Sequence, residues 1–90
     1  MPNPSIADEA PAEHKLSPYD REHAVTYVRL LDASKAGADW REVSRIVLQI
    51  DPDQNAERAR RAYDSHLARA RWLSREGYRL LLREGWPTPP

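Results

Sequence analysis

Cysteine is absent from the sequence. That removes disulfides and thiolate metal sites, and it is compatible with a reducing cytosol. No run of about 18 apolar residues occurs, so no membrane span is expected. The N-terminus has no basic start followed by an apolar stretch, so no secretory signal is expected. Glycine occurs three times, and no P-loop, GxGxxG or G-x-S-x-G pattern is present. The histidines, His14, His23 and His66, are far apart and show no metal-ligand spacing. The acids fall at helix starts or on outer faces, where capping and solubility explain them. These absences leave catalysis, a cofactor and a metal without support. A non-enzymatic cytoplasmic protein is the expectation.

An excess of charge of either sign is missing too. The 14 acids balance the 14 bases over 90 residues. A DNA-binding domain of this size is commonly basic, because phosphate neutralisation supplies much of its affinity. Neutrality therefore lowers the expectation of DNA binding. The charge is uneven, however, with a balance of −2 over residues 1–17, −2 over 18–55 and +4 over 56–90. Any basic patch must come from the last third. Ninety residues form one domain with one modest core.

Residues 1–16 hold three prolines and no hydrophobic period, and they read as a disordered tail. Ser17 and Pro18 start a first helix as N-cap and first helical residue. It runs to about Ala36, with Gly37 as a left-handed cap. Its stripe is Ala24, Val28 and Leu31, widened by Val25, Tyr27 and Leu30. Asp39, with Glu42 three residues on, forms a capping box for a second helix. Trp40, Val43, Ile46, Val47 and Ile50 make its buried stripe. Pro52 ends it. Asp53 or Asn55 caps a third helix, Ala56 to Glu76, with Ala59, Tyr63, Leu67 or His66, Ala70 and Leu73 or Ser74 facing inward. Arg58, Arg61, Ser65, Arg69 and Trp72 lie on roughly the opposite side. Gly77 breaks the pattern. Tyr78 to Arg83 is too short to judge by period, and a closing helix is expected over an edge strand.

A helix, a lengthened turn and an arginine-rich second helix outline a DNA reader of the helix-turn-helix kind. Arg58, Arg61 and Arg69 are its candidate DNA contacts. The plainer reading is a solvated face with local partners, Glu57 to Arg60 or Arg61 and Asp64 to Arg60. The turn and helix start carry Asp51, Asp53 and Glu57, which would face the phosphates and cost affinity. They read as an acidic face set against DNA. Among the aromatics, Trp72, Tyr78 and Trp86, with Leu82, are candidate anchors for a protein partner. Packing of Trp72 on Leu81 or Leu82 is the alternative.

Three segments carry a resemblance: AGADWREV at Ala36–Val43, RARWL at Arg69–Leu73 and GYRLLL at Gly77–Leu82. Through them Tyr19 to Gly85 resembles a domain-of-unknown-function family carried by regulators of integrative and conjugative elements in proteobacteria. The resemblance implies an extended-turn helix-turn-helix domain. The free-standing form of that family is of the QseM antiactivator type. It implies binding to transcriptional activators of element transfer, a LuxR-type quorum-sensing regulator and the element's own activator, with DNA binding weak or absent.

The expectation is therefore an all-α fold of three main helices and a short C-terminal helix. The domain spans residues 17–85, between tails at 1–16 and 86–90. The expected function is that of an antiactivator. The alternative is a small sequence-specific DNA-binding regulator or an excisionase-like factor using Arg58, Arg61 and Arg69.

Overall fold

The computed structural model describes residues 5–86; residues 1–4 and the expected C-terminal tail beyond Trp86 lie outside that range. The fold is all-α, with no strand among the described residues. Helix α1 is Pro18–Glu22, α2 is Ala24–Lys35, α3 is Trp40–Val43, α4 is Ala56–Trp72 and α5 is Tyr78–Glu84. A π-helical turn, Ser44–Leu48, continues α3, and a second, Leu73–Gly77, joins α4 to α5.

The first expected helix is thus two, divided at His23. Its start is as read. Ser17 Oγ accepts the Asp20 N–H, and the Asp20 carboxylate accepts the Ser17 N–H, a reciprocal cap. Its end is a left-handed glycine at φ +75°. The Gly37 N–H bonds the Ser34 carbonyl and the Ala38 N–H the Ala33 carbonyl. Asp39 is the N-cap of α3, but its side chain makes no capping bond, so the expected capping box is not formed.

The π turn corrects the stripe of the second helix. Widening one turn shifts the register, so that Val47, Leu48 and Ile50 turn inward while Ile46 is 63% exposed. Buried Ser44 closes this helix. Its hydroxyl donates to the Ile50 carbonyl at 2.9 Å, and its carbonyl accepts the Ile50 N–H at 3.0 Å. Gln49 takes the left-handed conformation at φ 59° and turns the chain towards α4.

The core lies where α2 and the α3 segment pack on α4. Tyr27 and Leu30 of α2 meet Val43, Val47 and Leu48 of the α3 segment and Ala59, Ala62, Leu67 and Ala70 of α4. The three alanines are almost fully buried and bring the backbone of α4 close to its neighbours. Val25 and Val28, expected on the α2 stripe, are exposed instead.

The largest departure is Arg69. Expected on the outer side of its helix, it is 4% exposed. Its Nη2 lies 2.7 Å and its Nε 3.0 Å from the two carboxylate oxygens of Asp20, which is itself fully buried. Tyr27 Oη donates to the same carboxylate at 3.0 Å. Two more Arg69 N–H groups donate to the carbonyls of Glu13 and Lys15. No buried side-chain polar atom among the described residues lacks a partner.

A charge pair this deep is stable only while it is whole, because one buried charge left alone keeps its full desolvation cost. Arg69→Ala should destabilise the fold by about 3–5 kcal/mol, a large share of the roughly 5–15 kcal/mol that holds most domains. Urea unfolding followed by circular dichroism measures this. The double change Asp20→Leu/Arg69→Met should regain part of the loss, since no unpaired charge remains.

Candidate nucleic-acid interface

The turn from Gln49 to Asn55 joins the α3 segment to α4. Asp51 shapes it from within. Its Oδ1 accepts the Asp53 N–H at 2.9 Å, and its carbonyl accepts the N–H groups of Gln54 and Asn55. Pro52 is buried beneath. Asn55 caps α4, its side-chain oxygen accepting the Arg58 N–H at 3.1 Å. Of the two expected caps, Asn55 is the one used.

Arg45, on the π turn, reaches across to both acids of this turn. It lies 2.8 Å from Asp53 Oδ2 and 4.0 Å from Asp51 Oδ1. Asp51 and Asp53 are therefore the turn's own structural groups, partly neutralised by Arg45. Glu57 is exposed in the first turn of α4, where the helix dipole favours an acid.

Beyond the cap, α4 exposes Arg58, Arg60 and Arg61. Arg60 pairs with Asp64 at 3.1 Å, the local pair expected from the spacing. Its guanidinium also lies 5.0 Å from the centre of the Trp40 ring, and Arg41 lies at the same distance. Trp40, Glu57, Arg60, Arg61 and Asp64 line a shallow hollow at the start of α4. Trp40 and Arg41 are not among the site residues expected from the sequence. The buried stripe of the second helix accounted for Trp40, and spacing alone cannot show that two arginines would flank its ring.

Arg58 and Arg61 meet the N-terminal segment. Arg58 Nε lies 2.7 Å from Asp8 Oδ1, and Arg61 Nε lies 3.7 Å from Glu9 Oε1. Arg69, the third candidate DNA contact, is spent on the core and is not at this surface. Of Arg58, Arg61 and Arg69, only the first two share the exposed face.

The candidate protein anchors are scattered. Tyr78 and Trp86 line an apolar cleft with Leu16, Val28, Leu31 and Leu81, between α2 and α5. Leu82 is 70% exposed on α5 and does not line it. Trp72 is elsewhere, with the Arg69 guanidinium 4.2 Å from its ring and His14 edge-on at 6.2 Å. Among the described residues, no group of three or more His, Cys, Asp or Glu side chains could hold a metal. Among the described residues no helix is long and apolar enough to cross a membrane.

The surface of α4 is that of a basic helix standing beyond a turn. A family model described as "T6SS, Transcription factor, DNA binding domain" matches residues 4–83. The chain belongs to this family, the RovC DNA-binding domain. No curated protein matches it. Membership in the RovC family overturns the likeness to the integrative-element family, and with it the antiactivator role. It also overturns the expectation of an activator protein as partner with DNA binding weak or absent. Of the acids behind that expectation, Asp51 and Asp53 have other uses, in the turn and against Arg45, while Glu57 stays exposed. The family is a transcription-factor domain and not an enzyme.

Behind this surface, Tyr19 and His66 join the N-terminal segment to α4. The Ala7 N–H donates to Tyr19 Oη, and Tyr19 Oη meets His66 Nε2. His66 Nδ1 lies 2.7 Å from the Ala62 carbonyl. That carbonyl can only accept, so Nδ1 carries the proton and Nε2 accepts from the tyrosine. Burial holds His66 below the ordinary 6.5, against the opposing bond to Ala62. For Asp20, burial alone would raise the carboxyl. The bonds from Arg69, the Ser17 N–H and Tyr27, with the charge of Arg69, outweigh burial and hold it below the ordinary 3.8. Burial pushes the Tyr27 hydroxyl far up, so it stays a donor.

Both depressed groups contribute stability above their unfolded values and lose it as pH falls through their folded ones. Thermal unfolding followed across pH should show two stages. Stability falls first below the ordinary histidine value of 6.5, where the unfolded chain binds a proton that folded His66 refuses, then below the ordinary carboxyl value of 3.8, where the same holds for Asp20. His66→Gln should remove the upper stage and leave the lower.

Proposed function

We propose that this chain is a DNA-binding regulator of transcription that presents α4 to the major groove. Membership in a transcription-factor DNA-binding family across residues 4–83 carries this reading. The arrangement of α4 supports it. The helix is capped by Asn55, held by small residues on its inner side, and exposes Arg58, Arg60 and Arg61 near its start. A recognition helix meets base edges with its N-terminal residues. Arg61, on the side of α4 away from its alanine stripe, suits a base edge or a phosphate. Arg60 and Arg41, around Trp40, suit phosphates. The folded unit includes residues 5–16 along with 17–85. The family's description points to T6SS genes as the regulated set, and a transcription-factor domain fits the cytoplasm.

The test is titration of a labelled duplex across a salt series, followed by fluorescence anisotropy. The wild-type chain should bind, and more weakly as salt rises. Arg60→Ala should weaken binding and lower the salt slope by about 1, and Arg61→Ala should weaken binding. Arg83→Ala, on α5, should leave both unchanged. Failure to bind any duplex at low salt, or full binding by the Arg60 and Arg61 variants, sinks this reading.

A further inference from the structure

The N-terminal segment is not a free tail in the described structure. It runs alongside α4 in the same direction. Asp8 meets Arg58, Glu9 meets Arg61, the Ala10 N–H donates to Ser65 Oγ at 3.0 Å, and Glu13 receives Arg69. From Arg58 to Arg69, α4 advances about 16 Å at ~1.5 Å per residue. Asp8 to Glu13, which bends at Asp8, Glu9 and Glu13, spans at most about 17 Å in five steps. Its contacts follow α4 in order from Arg58 to Arg69.

This segment, residues 5–14, holds three acids and no lysine or arginine. Two of those acids lie on two of the three arginines exposed near the start of α4. A carboxylate on a guanidinium offers the same contact that a phosphate offers. The segment is held firmly at its root, where buried Arg69 binds the Glu13 and Lys15 carbonyls. Its outer end is held by the Ser5 carbonyl against His23 Nε2 and by Ile6 on the core. The acid–arginine pairs between these anchors are solvent-exposed, a class of pair that is individually weak.

We infer that residues 5–14 form an autoinhibitory strap, whose Asp8 and Glu9 carboxylates occupy Arg58 and Arg61 in place of DNA phosphates. The inference rests on the DNA-binding reading above. DNA must take these arginines from carboxylates tethered in the same chain, at an effective concentration in the millimolar range. Two cations are thereby withheld from DNA until the strap's acids let go. The strap lowers affinity for all duplexes alike, so weak sites are the ones it suppresses.

The experiment compares Asp8→Asn/Glu9→Gln with the wild-type chain and with Asp32→Asn/Glu84→Gln. The last pair removes the same charge from exposed positions off the strap. A mixed-sequence duplex is titrated over a salt series. The strap variant should bind about two- to tenfold tighter than either reference, with a salt slope steeper by about 1 to 2. In the wild-type chain, the NMR amide signals of Asp8 and Glu9 should shift on DNA binding. If the strap variant matches the wild type or the charge-matched pair, the inference is overturned while the DNA reading stands. If no chain binds duplex at low salt, both fall together.

Discussion

The buried ion pair of Asp20 and Arg69 is the constraint on which the rest of the molecule depends. It gathers four parts of the chain at one point. Asp20 belongs to α1, Tyr27 to α2 and Arg69 to α4, and the carbonyls of Glu13 and Lys15 belong to the N-terminal segment. Ordinary packing would hold these parts by area alone, and area has no direction. Hydrogen bonds from a planar guanidinium do. An apolar pair of similar volume can match a buried ion pair in stability. What it cannot do is fix which backbone carbonyls lie beside it. Here that geometry sets where the N-terminal segment meets α4, and so which arginines the segment covers.

The same pair explains where sequence reasoning reached and where it stopped. The helices were legible because their ends carry local chemistry: Ser17 and Pro18, Gly37, Pro52 and Asn55 act within a few residues of themselves. The all-α fold follows from them and from the apolar spacing. Ile46 was placed wrongly because a π turn changes the period within one turn, and no residue in Ser44–Leu48 announces it. Arg69 falls on the outer side when helical spacing is counted from the stripe of Ala59, Tyr63 and Ala70. Its partner lies 49 positions away, and no local pattern links the two. Asp20 had a sufficient local role as a cap, which hid its second one.

The candidate site shared only part of its residues with the sequence reading. Arg58 and Arg61 were read as a possible DNA face, and the structure keeps both exposed on one helix. The acids at the turn were read as repulsive to DNA because a count of charges treats them as free. The Asp51 carboxylate accepts the Asp53 N–H, and the Asp53 carboxylate pairs with Arg45. Formal neutrality misled for a similar reason. Part of the acidic charge lies in a segment that pairs with the basic helix, so the sum is zero while its members are not spread at random. The turn acids are thus compatible with the family to which the chain belongs.

The π turn at Leu73–Gly77 has a consequence of its own. It joins α4 to α5 without a break, so Ala56 to Glu84 is one run of 29 residues of helical backbone. At about 1.5 Å per residue such a rod is roughly 43 Å long, close to the 41 Å longest dimension of the molecule. The basic start of α4 and the apolar cleft beside α5 therefore lie on one continuous stretch of helical backbone. The buried pair fixes that stretch near its middle, at Arg69.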